Sequence, residues 1–207
     1  VTFNTGIQTL TSATSSIIIA LTPIMTAVIA SSYYGEKIKA IGWFAITLSF
    51  IGVLILLLWD GIFSVNIGLI WTIGAAIVFC GYNILNRKLS SMGYTSLEIA
   101  TYSMVCGTIL LAVFLSDGVT QTLTSKPEHI LSVIYLGIMP SAIAYFLWGT
   151  ALSLAEKTNE VTNFMFITPL LSSLLGFMLL KEVPSMGTFI GGTIIILSIV
   201  LFNLKGK

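Results

Sequence analysis

The sequence predicts an all-α integral membrane protein, a multi-span helical bundle assembled from two inverted five-helix repeats. Three observations predict it. First, 56% of the residues are hydrophobic and only 8% are charged, against roughly 25% charged in soluble domains. Second, seven runs are apolar over the length needed to cross a bilayer, about 20 residues per helix. Third, one phrase occurs twice. Thr22-Pro23 is followed thirteen residues after the proline by Glu36, and Thr168-Pro169 is followed at the same distance by Glu182. The two prolines lie 146 residues apart (169 − 23). A soluble helical bundle of this length would need charged outer faces, which nine Lys/Arg and eight Asp/Glu cannot supply.

The elements follow in order from apolar length and from what interrupts it. Val1 to Gln8 reads as the tail of a helix that starts upstream, and no charged stretch with a short apolar core and cleavage site marks a signal peptide. The first span, 13–34, carries Thr22-Pro23 and ends at Gly35-Glu36. Spans at 40–59 and 65–85 follow, the latter closing on Arg87-Lys88. The span at 97–115 leads into the longest polar loop, Ser116 to Glu128. The next, 130–151, contains Pro140, which removes a backbone hydrogen bond and should open a turn just before Tyr145 and Trp148. The span at 161–180 carries Thr168-Pro169, and the last, 186–204, carries Gly187 and Gly191, a small-xxx-small pair that permits close helix approach. Packing within one subunit is preferred for that pair over a homodimer seam. Pro23 and Pro169 should each kink their helix.

Basic residues concentrate on the cytoplasmic side of short loops. Alternating sides along the spans puts Lys37, Lys39, Arg87, Lys88, Lys157, Lys205 and Lys207 on one face and only Lys126 and Lys181 on the other. That split makes the first face and the C-terminus cytoplasmic. Glu36 then ends its helix inside and Glu182 ends its twin outside, so the two copies insert in opposite directions. Such inverted repeats are a mark of transporters. The expected organisation is residues 1–60 as the last two and a half helices of one repeat and 61–207 as a complete second repeat. The whole would have about ten helices, with about seven and a half in this chain.

Residues throughout the chain carry a family likeness. They are Leu10-Thr11-Ser12-Ala13, Leu21-Thr22-Pro23, Gly35-Glu36 and Ile51-Gly52-Val53 in the first repeat. The second has Gly68, Ala75-Ala76, Tyr82-Asn83 and Arg87-Lys88, then Ala142 to Trp148, Thr168-Pro169, Lys181-Glu182 and Gly191-Gly192. In order and spacing the chain resembles the EamA-type members of the drug/metabolite transporter superfamily. The resemblance implies a cavity drawn from both repeats and transport of small organic solutes by alternating access. Two positions depart from the family's usual pattern: Phe79 stands where tryptophan is common, and Lys181-Glu182 where Gly-Glu is common.

The polar residues do not assemble a catalytic centre. The single histidine, His129, opens a span, and two isolated cysteines, Cys80 and Cys106, suit packing better than metal binding. No enzyme activity, metal or cofactor is expected, and no nucleic-acid partner. The partners expected are a small organic solute and the lipid bilayer. Polar side chains inside a bilayer either join helices or line an aqueous path. Asn4, Gln8 and Thr22 are candidates of that kind. The substrate-binding candidates are Phe79, Tyr82, Asn83, Tyr145, Trp148, Asn163 and Thr168; singly, each also suits interhelical hydrogen bonding or an interfacial aromatic belt. Trp148 and Tyr145, three apart, share a helical face, as do Phe79 and Asn83, four apart. The gating candidates are Pro23, Glu36, Pro140, Pro169 and Glu182. The two acids read either as charges at helix N-termini or as latches that close one side each. No Lys or Arg lies within a span, which disfavours a phosphorylated solute. The expected function is transport of an amino acid, purine or similar metabolite or drug-like solute across the plasma membrane, the bacterial cell membrane, with export favoured. A non-transporting membrane scaffold or sensor subunit is the alternative.

Overall fold

The computed structural model describes residues 2–10, 12–59, 67–115, 118–120, 124–175, 177–178, 181 and 185–206. Among the described residues every regular element is helical. In chain order they are α1 (Thr2–Ile7), α2 (Ser12–Ile19), α3 (Thr22–Tyr33), α4 (Ala40–Leu58), α5 (Gly68–Ser91) and α6 (Ser96–Leu111), which a 3-10 turn at Ala112–Phe114 continues. Next come α7 (Pro127–Leu136), a π-helical stretch Gly137–Ile143 and α8 (Ala144–Leu154), in unbroken succession. They are followed by α9 (Thr158–Thr162), a 3-10 segment Asn163–Ile167 and α10 (Thr168–Leu175). Finally α11 (Met186–Leu201) passes into a π-helical stretch, Phe202–Gly206.

Helices are what a bilayer demands, because hydrocarbon offers no partner for backbone N–H and C=O groups. Six runs are long and apolar enough to cross: Ser15–Tyr33, Ala40–Leu58, Gly68–Ser91, Ser96–Phe114, Pro127–Leu154 and Met186–Gly206. The protein is a multi-pass membrane protein. These six match six of the seven spans expected from the sequence. The seventh, 161–180, is built differently: it opens on the end of α9, passes through the 3-10 segment and resumes α-helix at Thr168, and residues 176, 179 and 180 lie outside the described set. Two spans overrun their apolar limits because side chains satisfy their ends. Arg87, near the end of α5, donates to the carbonyls of Leu152 (2.7 Å) and Ala155 (2.5 Å), closing the last turn of α8. At the start of α6, Thr95 and Glu98 form a reciprocal capping box.

The described chain divides into two compact units, one made of residues 1–84 and 156–207 and the other of residues 85–155. The larger unit is centred on α4 and α11, its most extensive helix pair. The buried stripe of α4 is Gly42, Ala45, Ile46, Ser49, Gly52, Val53 and Leu56, recurring every three to four residues. It meets Gly187, Gly191, Ile195 and Ile199 of α11. Backbones touch here: a Cβ placed on Gly191 would lie 2.5 Å from the Gly52 carbonyl oxygen, and one on Gly187 would collide with Trp59. Phe166 and Ala27 belong to the same core.

Both Thr-Pro phrases open helices. Pro23 lies in the first turn of α3, after a break at Ala20 and Leu21, and Pro169 is the second residue of α10, after the 3-10 segment. A proline at this position costs no hydrogen bond, since the first turn's N–H groups have no helical partner. The expected mid-helix kinks are therefore changes of helix rather than bends. Thirteen residues before Glu36 and Glu182 the backbone matches, and one residue before them it matches again. Gly35 has φ +66° and Lys181, 146 positions later, has φ 58°. Lysine in this left-handed region carries a penalty of about 1–2 kcal/mol that glycine escapes. Lys181→Gly is accordingly expected to stabilise the protein by about 1 kcal/mol, read as a raised melting temperature in detergent. A lower melting temperature would refute the left-handed assignment.

In the smaller unit α6 packs on α8. Ser96 donates to Ser153 (3.2 Å), and Asn86 lies beside Gly149, the buried residue of α8 that follows Trp148. Pro140 falls within the π-helical stretch, where Ser141 Oγ donates to the Leu136 carbonyl at 2.9 Å.

Candidate functional site

Within the larger unit α5 is inside-out. Its buried residues include Thr72, Ala76, Cys80 and Asn83, while Ile70, Ile73, Ile77 and Val78 are exposed. That pattern suits a helix with lipid on one side and a polar interior on the other. Thr26 of α3 donates to Cys80 Sγ (3.4 Å), and Tyr34 Oη donates to the Ile84 carbonyl (2.7 Å). One turn before Ile84, Phe79 and Tyr82 stack with ring centroids 6.0 Å apart.

A cavity of about 250 Å³ opens beside the second Thr-Pro phrase. Thr168, Pro169 and Ser172 of α10 line it together with Met165, Ser16 and Ile19 of α2, Ala20, and Phe3 of α1. Three hydroxyl groups thus face a largely apolar wall, the composition expected of a small-solute pocket. A larger recess of about 640 Å³, at the end of α6, is lined by Leu111, Ala112, Phe114, Leu115 and Val119, with Thr108 the one polar side chain among the described residues that line it.

Beyond the cavity, Asn159 and Thr162 of α9 and Asn163 of the 3-10 segment are buried, and α3 packs against α9. At the start of α9, Glu36 holds the chain end-on. Both of its carboxylate oxygens accept from the Thr158 N–H (3.1 and 3.0 Å), and Oε1 also accepts from the Thr158 hydroxyl (2.7 Å). Lys157 Nζ donates to the Lys37 carbonyl (2.8 Å), so two adjacent residues clasp two others 120 and more positions away. The acid therefore sits on α9 rather than on α4, the helix that follows it in sequence.

The structure brings together some of the residues singled out from the sequence. Thr168 and Pro169 line the cavity, Asn163 is buried two residues before Met165 of its wall, and Phe79, Tyr82 and Asn83 follow one another along α5. Pro23 is buried in the first turn of α3. Tyr145 and Trp148 are half-buried on α8, in the smaller unit; Pro140, in the preceding π-helical stretch of the same unit, is exposed. Gly187 and Gly191 face α4. Glu182 lies outside the described residues. Sequence reasoning missed Thr158, Asn159, Thr162, Ser16 and Ser172. Asn159, Thr162 and Asn163 carried a signal, a single polar face at i, i+3, i+4 spacing, but they straddle the start of the span expected at 161–180 and read as its polar end.

The family model described as EamA-like transporter family matches residues 1–58 and 66–204. The chain belongs to this family. It is 28% identical over 195 residues to a protein of Streptantibioticus cattleyicolor named "Probable terminal-alkyne amino-acid exporter", an alignment covering 93% of this chain and 64% of that protein. To the "Probable amino-acid metabolite efflux pump" of Escherichia coli it is 25% identical over 208 residues, covering 93% of this chain and 68% of the relative. The chain thus spans about two thirds of the length of these relatives. A solved crystal structure shares the fold with a TM-score of 0.78 at 17% identity, covering 98% of this chain and 72% of the other.

Proposed function

We propose that this EamA-family protein moves a small organic metabolite, of the amino-acid or purine kind, out of the cell across the plasma membrane by alternating access. The observation that carries the reading is the cavity beside Thr168 and Pro169, which combines an apolar wall with three hydroxyls and adjoins a buried polar face. Its volume suits a solute of amino-acid size. The names of the two exporting relatives support the same class. On this reading the protein is a transporter rather than an enzyme, and residues 1–60 and 61–207 belong to two inverted repeats. The shared backbone of Gly35 and Lys181 and the shared placement of Pro23 and Pro169 support that division.

Counterflow in liposomes holding the full-length protein, run against amino acids, purines and cationic drugs, tests the function. Exchange of at least one solute class above protein-free vesicles is expected; a scaffold or sensor subunit would exchange none. Orientation has its own test. Single cysteines at Ser90 and Ser125, without Cys80 and Cys106, should report opposite sides, with Ser125 reached by an impermeant maleimide in intact cells and Ser90 only after permeabilisation. Equal labelling of both would rule out a cytoplasmic C-terminus paired with inverted repeats.

A further inference from the structure

Among the described residues, five side-chain atoms on one stretch of the chain have no hydrogen-bond partner although they are sealed from solvent. They are Nδ2 and Oδ1 of Asn159, Oγ1 of Thr162, and Nδ2 and Oδ1 of Asn163. The three residues are at most 2% exposed. Their spacing, i, i+3 and i+4, puts them on one face as α9 passes into the 3-10 segment. A buried polar group without a partner is destabilising, and a membrane interior supplies no substitute. A face carrying three such residues is poor structural material and suits a ligand that comes and goes.

The chemistry of the face selects the ligand. Two carboxamide NH₂ groups donate, two carboxamide oxygens accept, and the hydroxyl does either. A bare cation would satisfy only the oxygens, and an anion only the donors. A head group carrying an ammonium and a carboxylate together satisfies both sets. The same 3-10 segment supplies Met165, two residues beyond Asn163, to the wall of the cavity of about 250 Å³, which offers apolar space for a side chain. One turn before Thr162, Thr158 is held by Glu36.

We propose that Asn159, Thr162 and Asn163 bind the polar head of a zwitterionic, amino-acid-like solute, and that the clasp between Glu36 and Thr158 holds this face shut. The assignment deepens the transport function proposed above and rests on it. It differs from a structural hydrogen-bond network in one respect: removing the polar atoms should harm transport without harming the fold.

The test uses full-length protein in membranes and liposomes. In a background lacking Cys80 and Cys106, Thr162→Cys and Asn163→Cys are made singly and exposed to 2-aminoethyl methanethiosulfonate, which needs water to react. Labelling of at least one is expected, slowed by a neutral L-amino acid such as leucine, phenylalanine or threonine, and accelerated by Glu36→Gln. In parallel, Thr162→Val and Asn163→Leu are expected to keep or raise the melting temperature while cutting counterflow of neutral amino acids by about tenfold. Absence of labelling at both positions, or labelling that no neutral amino acid slows, overturns the proposal. So does a lowered melting temperature in both apolar variants, the signature of a structural network. Wild-type protein that exchanges amino acids while the apolar variants exchange them equally well sinks this site and leaves the transport function standing. Wild-type protein that exchanges no solute at all defeats the transport function itself, and the head-group assignment with it.

Discussion

Leucine in place of Gly191 is expected to destabilise the protein by about 1–3 kcal/mol, the range for forcing extra methylenes into a close-packed contact. A bare Cβ at this position already lies 2.5 Å from the Gly52 carbonyl oxygen and 2.7 Å from the Leu56 backbone nitrogen. These are backbone atoms of α4, so no side-chain rotation relieves the clash. The α4–α11 pair must separate, and with it the core of Val53, Leu56, Ile195 and Phe166. Thermal unfolding of detergent-solubilised protein reads the loss. Gly81→Ala is the control: no atom lies within 4 Å of its added Cβ, and alanine favours a helix over glycine by about 0.5–1 kcal/mol. A Gly191→Leu protein that melts with the wild type would mean that α4 and α11 do not touch as described.

Glu36→Ala is the second large effect. The carboxylate accepts three hydrogen bonds from Thr158, whose side chain is fully buried. Hydrogen bonds to a charged group contribute about 1.5–3 kcal/mol. A double-mutant cycle with Thr158→Val should therefore show coupling, Thr158→Val costing little once Glu36→Ala is made. Thr158→Val leaves the backbone N–H to be satisfied, so Glu36→Ala should be the more damaging of the two. Additive losses in the double mutant would place Glu36 away from Thr158 and remove the clasp.

Much of the fold could be read from composition and length. Six of the seven expected spans correspond to helical runs, because in a bilayer the apolar length of a segment and its helical length are set by the same requirement. The Thr-Pro phrase marked two real interruptions, but they are places where a helix begins anew rather than the mid-helix kinks expected, since the first turn is where proline costs least. The Lys181 departure from the family's usual glycine pointed at a real feature, a left-handed backbone that Gly35 adopts at the twin position.

The candidate site was less legible, for a reason visible at Asn159 and Thr162. Asn159 precedes the span expected at 161–180 and Thr162 stands in its first turn, where polar residues read as a span end, yet both are among the most deeply buried polar residues. Aromatic residues drew attention because they are large. Of these, Phe79 lies in one compact unit while Tyr145 and Trp148 lie in the other, a division that helical-face arguments along single spans do not see.

By itself, then, the sequence determined that this chain crosses a membrane as helices, where six of its apolar runs fall, and that it carries a duplicated Thr-Pro-to-Glu phrase, because apolar length is a local property. Tertiary structure alone decided that Glu36 grips Thr158, 122 residues away, that Gly191 touches Gly52, and that Asn159, Thr162 and Asn163 are buried with polar atoms unpartnered among the described residues. Each of these depends on which helix faces which, and in a chain apolar on nearly every face no periodicity encodes that choice.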